Sequence, residues 1–162
     1  YFRYDPLMDK LHSDIFDVHS LSYNDIFFNE TINKYKFMIP YISIEPNYRF
    51  APGVMFYYSP FNNGEFGKDV IVIYHTYEGI ISAITIYFRN DKLKTILDII
   101  HKRYANLEEK VLRRHDNIWM WDLGEYAIRI NYIHDEANSI IEFGYWPLLV
   151  QEKIAAEKYF EQ

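Results

Sequence analysis

Residues 91–105, DKLKTILDIIHKRYA, constrain the fold more than any other stretch of the chain. Leu93, Ile96, Leu97, Ile100 and Tyr104 recur at the spacing of one helical face, while Lys92, Lys94, Asp98, Lys102 and Arg103 fall largely elsewhere. Such a helix must bury one face. The chain on either side supplies the surface, because 69–88 and 117–146 are rich in the β-branched and aromatic residues that suit strands. Asn90 is the expected N-cap, Asp91 suits the positive end of the helix dipole, and Lys102 and Arg103 suit the negative end. The expectation is an α+β domain: an antiparallel sheet of five or six strands, one central amphipathic helix packed on a face, a helical N-terminal segment and a C-terminal helix.

The strand signals fall in two arms. Before the helix, 54–58 reads as a strand, 59–68 as a loop through its Pro, Asn and Gly, and 70–77 and 80–88 as a hairpin about Glu78-Gly79. After it, 118–122, 126–133 and 139–146 read as a three-strand meander turning at Gly124-Glu125 and at 134–138. Residues 106–116 fit a loop or a short strand carrying Val111. Pro40 and Pro46 confine 38–49 to an edge or a connector. Two N-terminal helices are expected, over 6–18, with Pro6 in the first turn, and over 23–36, with Ile26, Phe27, Ile32, Tyr35 and Phe37 inward. Pro147 ends the sheet, and 148–160 carries helical propensity. The 162 residues contain no linker-like stretch and form one domain, divided into an irregular or helical segment over 1–50, a sheet–helix–sheet core over 53–146 and a helix over 148–162.

The formal charge of −6 argues against general binding of a phosphate backbone, which needs clustered Lys and Arg. The absence of cysteine removes disulfides, thiolate metal sites and a thiol nucleophile. No apolar run approaches the length of a membrane-spanning helix. The chain opens on Tyr1 rather than Met, as either a processed product or a trimmed piece would, and removal of a signal peptide is one expectation.

Catalytic motifs do not emerge. In Gly64-Glu65-Phe66-Gly67-Lys68 the lysine is followed by Asp69 instead of Ser or Thr, and the glycines precede a strand, so a hairpin loop is the better reading than a phosphate loop. The six histidines, His12, His19, His75, His101, His115 and His134, lack the local pairs of zinc sites, and His134-Asp135-Glu136 suits a polar turn. His75 lies inside a strand, with Asp69 and Glu142 as candidate carboxylate partners should it act as a base. Ser82 and Ser139 occupy ordinary strand positions, Glu108 and Glu109 read as a solvated charge run, and Lys110, Arg113, Arg114 and His115 read as a wet basic turn. No catalytic, cofactor or metal residue is therefore assigned.

The second half resembles a layout found in small exported bacterial proteins of unassigned function, often lipoproteins. The matching features are Tyr87-Phe88-Arg89-Asn90-Asp91-Lys92-Leu93 at the strand-to-helix junction, Arg103-Tyr104 at the helix end, and the hairpin with Trp121 and Gly124. The paired stretches Ile128-Arg129-Ile130-Asn131-Tyr132 and Ile140-Ile141-Glu142-Phe143-Gly144-Tyr145 follow, with a charged helix behind them. The similarity covers 70–162. It departs from the pattern at Ala105, where a helix-ending glycine is expected, and in lacking a lipidation cysteine. The resemblance implies a bacterial cell-envelope location and no activity.

Aromatic residues make up 19% of the chain, more than one small core needs, so some rings are expected at the surface. Residues two apart on a strand share a face, which groups Trp119 with Trp121. With Tyr126, Tyr132, Tyr145 and Trp146 they form the candidate binding face for a protein, peptide or glycan partner. The bland reading is that the N-terminal segment or the C-terminal helix covers these rings. The leading functional reading is a noncatalytic binding or accessory module. The alternative of another class is a small acidic inhibitor or immunity-type protein in the cytoplasm, and a hydrolase with an unrecognised site is third.

Overall fold

The computed structural model describes residues 22–23, 26–41, 50–60, 66–103, 109–113 and 117–161. In chain order the elements are strands β1 (Ser22–Tyr23), β2 (Ile26–Phe27), β3 (Ile39–Tyr41), β4 (Val54–Tyr58), β5 (Ile71–Tyr77) and β6 (Ile80–Arg89), helix α1 (Leu93–Arg103), strands β7 (Glu109–Arg113), β8 (Asn117–Asp122), β9 (Tyr126–Tyr132) and β10 (Asn138–Tyr145), and helix α2 (Trp146–Phe160). The α+β class and the antiparallel sheet are as expected. The sheet is larger than five or six strands: seven substantial strands and the three-residue β3 run in the order β3-β4-β5-β6-β10-β9-β8-β7. The additions are the edges. Around Pro40, residues 39–41 still pair with β4 because the proline sits where the sheet ends, and 109–113 pairs with β8.

Each arm is a meander, and the fourth strand of one joins the fourth strand of the other. Between β6 and β10, Ile84 faces Phe143, Ile86 faces Ile141 and Phe88 faces Ser139. Alternation extends this side across the sheet through Tyr74 on β5, Ile128 and Ile130 on β9 and Trp121 on β8, all buried. This first face is the core. Ile96 and Ile100 of α1 are buried in it, with Leu93 and Leu97 packed at their sides, so the helical stripe read from the sequence is the buried one. The expected capping role of Asn90 is not realised. A 3-10 turn over Asn90–Lys92 opens the helix, and the Asn90 amide instead donates to the Ile133 and Glu136 carbonyls at 2.9 and 2.6 Å. The Ser139 hydroxyl, fully buried, accepts from the Ile133 N–H at 2.9 Å and donates to the Asn90 side-chain oxygen. A short polar network thus ties the start of α1 to the turn joining β9 and β10.

The other half of the first face is covered by the N-terminal segment, but not as a helix. Ser22–Tyr23 pairs antiparallel with Ile26–Phe27 as β1 and β2, Asn29 has a positive φ of 60°, and only Ile32–Lys34 forms a 3-10 turn. The backbone is used elsewhere: Asn29 N–H donates to Ile81, Ile32 N–H to Gly79, and Ile81 N–H to Glu30, so these groups bond to the start of β6 rather than to a preceding helical turn. Ile26, Ile32 and Tyr35 are buried as expected, whereas Phe27 is half-buried and Phe37 exposed. The expected helix over 6–18 lies outside the described residues.

The turn at Glu78-Gly79 has φ of 52° and 77°, the two positive values of a type I′ hairpin, which favours Gly at the second position. Helix α2 begins at Trp146, with Pro147 in its first turn, two residues earlier than expected. It lies on the second face, contacting β5, β6 and β10. Beneath it the small residues Gly144 and Ala83 are in register, with His75 of β5 next in the row. A Cβ built on Gly144 would come within 2.9 Å of the Leu149 Cδ1, so the glycine sets how close the helix approaches.

Replacing Ile96 or Ile100 by Ala is expected to lower stability by about 2–5 kcal/mol, since each side chain is buried between helix and sheet. Chemical denaturation measures this, and an unchanged midpoint for both variants would contradict the packing.

Candidate functional site

The six aromatic residues of the candidate face divide three ways. Trp121, 1% exposed, and Tyr126 are inside the core, the first with the His101 ring 6.0 Å away and the second edge-on to Phe28 at 5.6 Å. Both are closed off by this chain and present no surface to a partner. Trp119 and Tyr132 lie on the same first face, half-buried, as does Tyr145, whose ring stands 5.0 Å from Tyr126. Burial pushes the Tyr145 phenol above its ordinary range, and the Glu125 carboxylate adds to the shift. Trp146 is separate from all five, in the first turn of α2 and 38% exposed.

Large exposed apolar side chains gather elsewhere, on the second face at the β3–β5 corner. Register and alternation put Ile39 and Tyr41 of β3, Tyr58 of β4 and Ile71 of β5 on this side, and all four are exposed, Ile71 at 63%. They border a groove of about 350 Å³ lined by Tyr41, Tyr58, Ser59, Val70, Ile71, Val72 and Ile73. The sequence held the ingredients in its strand residues, but no signal for which strand face the described residues leave exposed.

His75 has a carboxylate within hydrogen-bond reach, but neither Asp69 nor Glu142. Its Nε2 lies 2.8 Å from Glu152 of α2, a residue 77 positions away, and both side chains are 13% exposed. Phe56 stands edge-on to the imidazole at 4.8 Å and Phe50 at 6.2 Å. The distance suits an imidazole oriented by a carboxylate. The neighbouring hydroxyl does not complete a relay, because Ser82 Oγ donates to the His75 backbone carbonyl at 3.2 Å. The pair bridges sheet and helix.

Several other candidates fall apart in space. His134 is half-exposed in a turn, 3.7 Å from the exposed Asp135, as the polar-turn reading expects. Among the described residues no group of three His, Asp or Glu is placed to hold a metal ion, and no helix is long and apolar enough to cross a membrane. Arg114 and His115 lie outside the described residues, as do His12, His19 and Glu108. Among the described residues Glu30 pairs with Lys34, Asp91 with Arg89, Glu142 with Arg129 and Glu152 with His75.

No known protein family matches the chain, and no curated protein or solved structure matches it either.

Two measurements test this geometry. Glu152→Ala and His75→Ala are expected to speed amide exchange across 146–160 while leaving 126–132 protected, because α2 buries only Leu148 fully and loses its polar tie. Protection of α2 equal to that of β9 in either variant would contradict it. In iodide or acrylamide quenching, Trp121→Phe should remove a blue-shifted, unquenched component and Trp146→Phe a quenched one. The reverse pattern would overturn the assignment.

Proposed function

We propose that this protein is a noncatalytic binding module that takes up an extended polypeptide segment bearing aliphatic or aromatic side chains at the β3–β5 corner. The observation that carries the reading is the exposed cluster of Ile39, Tyr41, Tyr58 and Ile71 beside the groove. Large apolar groups left in water cost free energy in proportion to their area, and a contiguous set marks a contact surface more often than scattered ones do. An extended chain presents alternate side chains to one side at about 7 Å intervals, close to the spacing of same-face residues on a strand such as Ile71 and Ile73. Tyr41 and Tyr58 add phenol groups that can hydrogen-bond a peptide backbone while their rings make apolar contact. Placement in a bacterial cell envelope rests on the resemblance of 70–162 to small exported proteins.

The test is selection from a phage-displayed random peptide library against the immobilised protein, followed by Ile71→Asp and Tyr58→Ala. The expected outcome is enrichment of peptides with alternating large apolar residues, whose binding falls at least about tenfold in both variants. Thermal midpoints should stay close to that of the parent, because these side chains are exposed. Failure to enrich such peptides, or undiminished binding by Ile71→Asp, would overturn the reading.

A further inference from the structure

The two ends of the eight-stranded sheet are finished differently. At one end β7 carries Glu109, Lys110 and Arg113, and charged residues on an edge discourage an incoming strand. At the other end β3 has no charged residue, and its Ile39 and Tyr41 are 38% and 45% exposed. An apolar exposed edge is a template for pairing with extended chains. What β3 has instead of charge is Pro40. In an antiparallel ladder, successive residues turn their backbone N–H and C=O alternately toward one neighbour and the other. Pro40 lies opposite Tyr57, between the Ile39–Tyr58 and Tyr41–Phe56 pairs. Having no N–H, it can hold that place only with its backbone groups pointing away from β4, while Ile39 and Tyr41 bond to the sheet. The imide nitrogen of Pro40 therefore faces the open edge. The preceding residue on that side by alternation, Met38, donates its N–H to the Tyr35 carbonyl at 3.1 Å. Among the described residues the outer edge of β3 thus offers an added strand no donor: Ile39 and Tyr41 direct theirs to β4, Met38 to its own turn, and Pro40 has none. A strand laid there would turn successive carbonyls toward an occupied amide and a proline ring, leaving them unbonded.

We infer that Pro40 closes the β3 edge to strand addition, so that neither a partner polypeptide nor a second copy of this chain joins the sheet there, and contact at this corner runs through side chains on the second face. What the face holds rests on the peptide-binding reading; closure of the edge does not. The closure matters most against the chain's own copies. If two β3 edges met antiparallel about a two-fold axis at residue 40, Ile39 of each would lie opposite Tyr41 of the other, an apolar match on both sides of the axis. At the axis position 40 faces itself, where an ordinary residue would exchange two reciprocal N–H···O bonds and proline exchanges none. The residue that would otherwise centre such a pairing is the one that forbids it.

Pro40→Val restores an N–H at position 40 in a residue type that suits a strand. In hydrogen exchange followed by NMR, the amide at position 40 of the folded variant should exchange faster than those of Ile39 and Tyr41. Slower exchange at position 40 would place that group toward β4 and overturn the closure. Aggregation in native buffer, followed by light scattering and thioflavin fluorescence, is the second measurement. Pro40→Val should aggregate at least about tenfold faster than the parent. N-methylvaline at position 40, introduced by suppression in cell-free translation, has the side chain of valine but, like proline, no N–H, and should keep the parental rate. Equal rates for Pro40→Val and the parent would overturn the proposal. So would a fast N-methylvaline protein, since the change would then follow from loss of the ring or of stability and not from the donor. Neither measurement uses a peptide ligand, so failure of the closure and failure of the peptide-binding reading are told apart.

Discussion

The fold depends on the seam between β6 and β10. Each arm is a meander that closes neither face alone, and this antiparallel pairing is where the arms become one sheet. Three contacts set its register on the core side: Ile84 against Phe143, Ile86 against Ile141, and Phe88 over the buried Ser139. A slip of one residue would carry Tyr87, Glu142 and Arg89 into the core and the isoleucines into water. With each large apolar side chain worth about 1.5–3 kcal/mol on burial, the hydrophobic pattern excludes that alternative by a wide margin. The Asn90–Ser139–Ile133 network adds a directional lock at one end of the seam, bringing the β6–α1 junction onto the β9–β10 turn.

Both seam strands lead into a helix, yet the helices go to opposite faces. After Arg89 the 3-10 turn over Asn90–Lys92 carries the chain to the first face, where Ile96 and Ile100 meet a field of large aliphatic and aromatic residues. After Tyr145 the chain enters α2 at once, over Gly144 and its small neighbours on the second face. Bulky residues beneath α1 and small ones beneath α2 leave the two helices with different attachments. The first is held by interdigitated side chains, and the second by close approach at Gly144 and the His75–Glu152 hydrogen bond. Val150 and Ile154 are consequently exposed on the outer side of α2, which has no further layer to pack against among the described residues.

Local patterns in the sequence carried most of the elements. The apolar stripe from Leu93 to Ile100, the 54–58 strand, the type I′ hairpin at Glu78-Gly79 and the hairpin about Gly124 all follow from spacing and turn chemistry that neighbouring residues determine. Interactions between distant residues were not readable in that way. Glu152 as the partner of His75 depends on α2 crossing β5, over a second face where Gly144 and Ala83 bring small residues from two strands into register. The N-terminal segment misleads for a related reason. Its apolar spacing fits a helix, but its aromatic and β-branched residues and the left-handed Asn29 favour extended pieces once the start of β6, which runs past the end of β10, offers its backbone groups. The extra strands at 39–41 and 109–113 are edge pairings, where few side-chain constraints mark the sequence.

The same distinction explains why a strand tryptophan does not by itself mark an exposed face. A tryptophan on a strand has nearly the same local signature whether its ring fills a core or meets a partner, and Trp121 fills a core beneath α1. Isoleucine is the more informative residue here because it lacks a polar tip to reward solvent contact. Ile84, Ile86, Ile128, Ile130 and Ile141 are all fully buried on the first face, showing where this fold places aliphatic bulk when it has a cover. Ile39 and Ile71 carry the same bulk on the second face, and neither α2 nor the described N-terminal segment covers them. Sheet pairing alone does not require an aliphatic side chain there, since a threonine or lysine would keep the strand at less cost in water. Their exposure beside the groove is therefore not accounted for by the packing of the described residues.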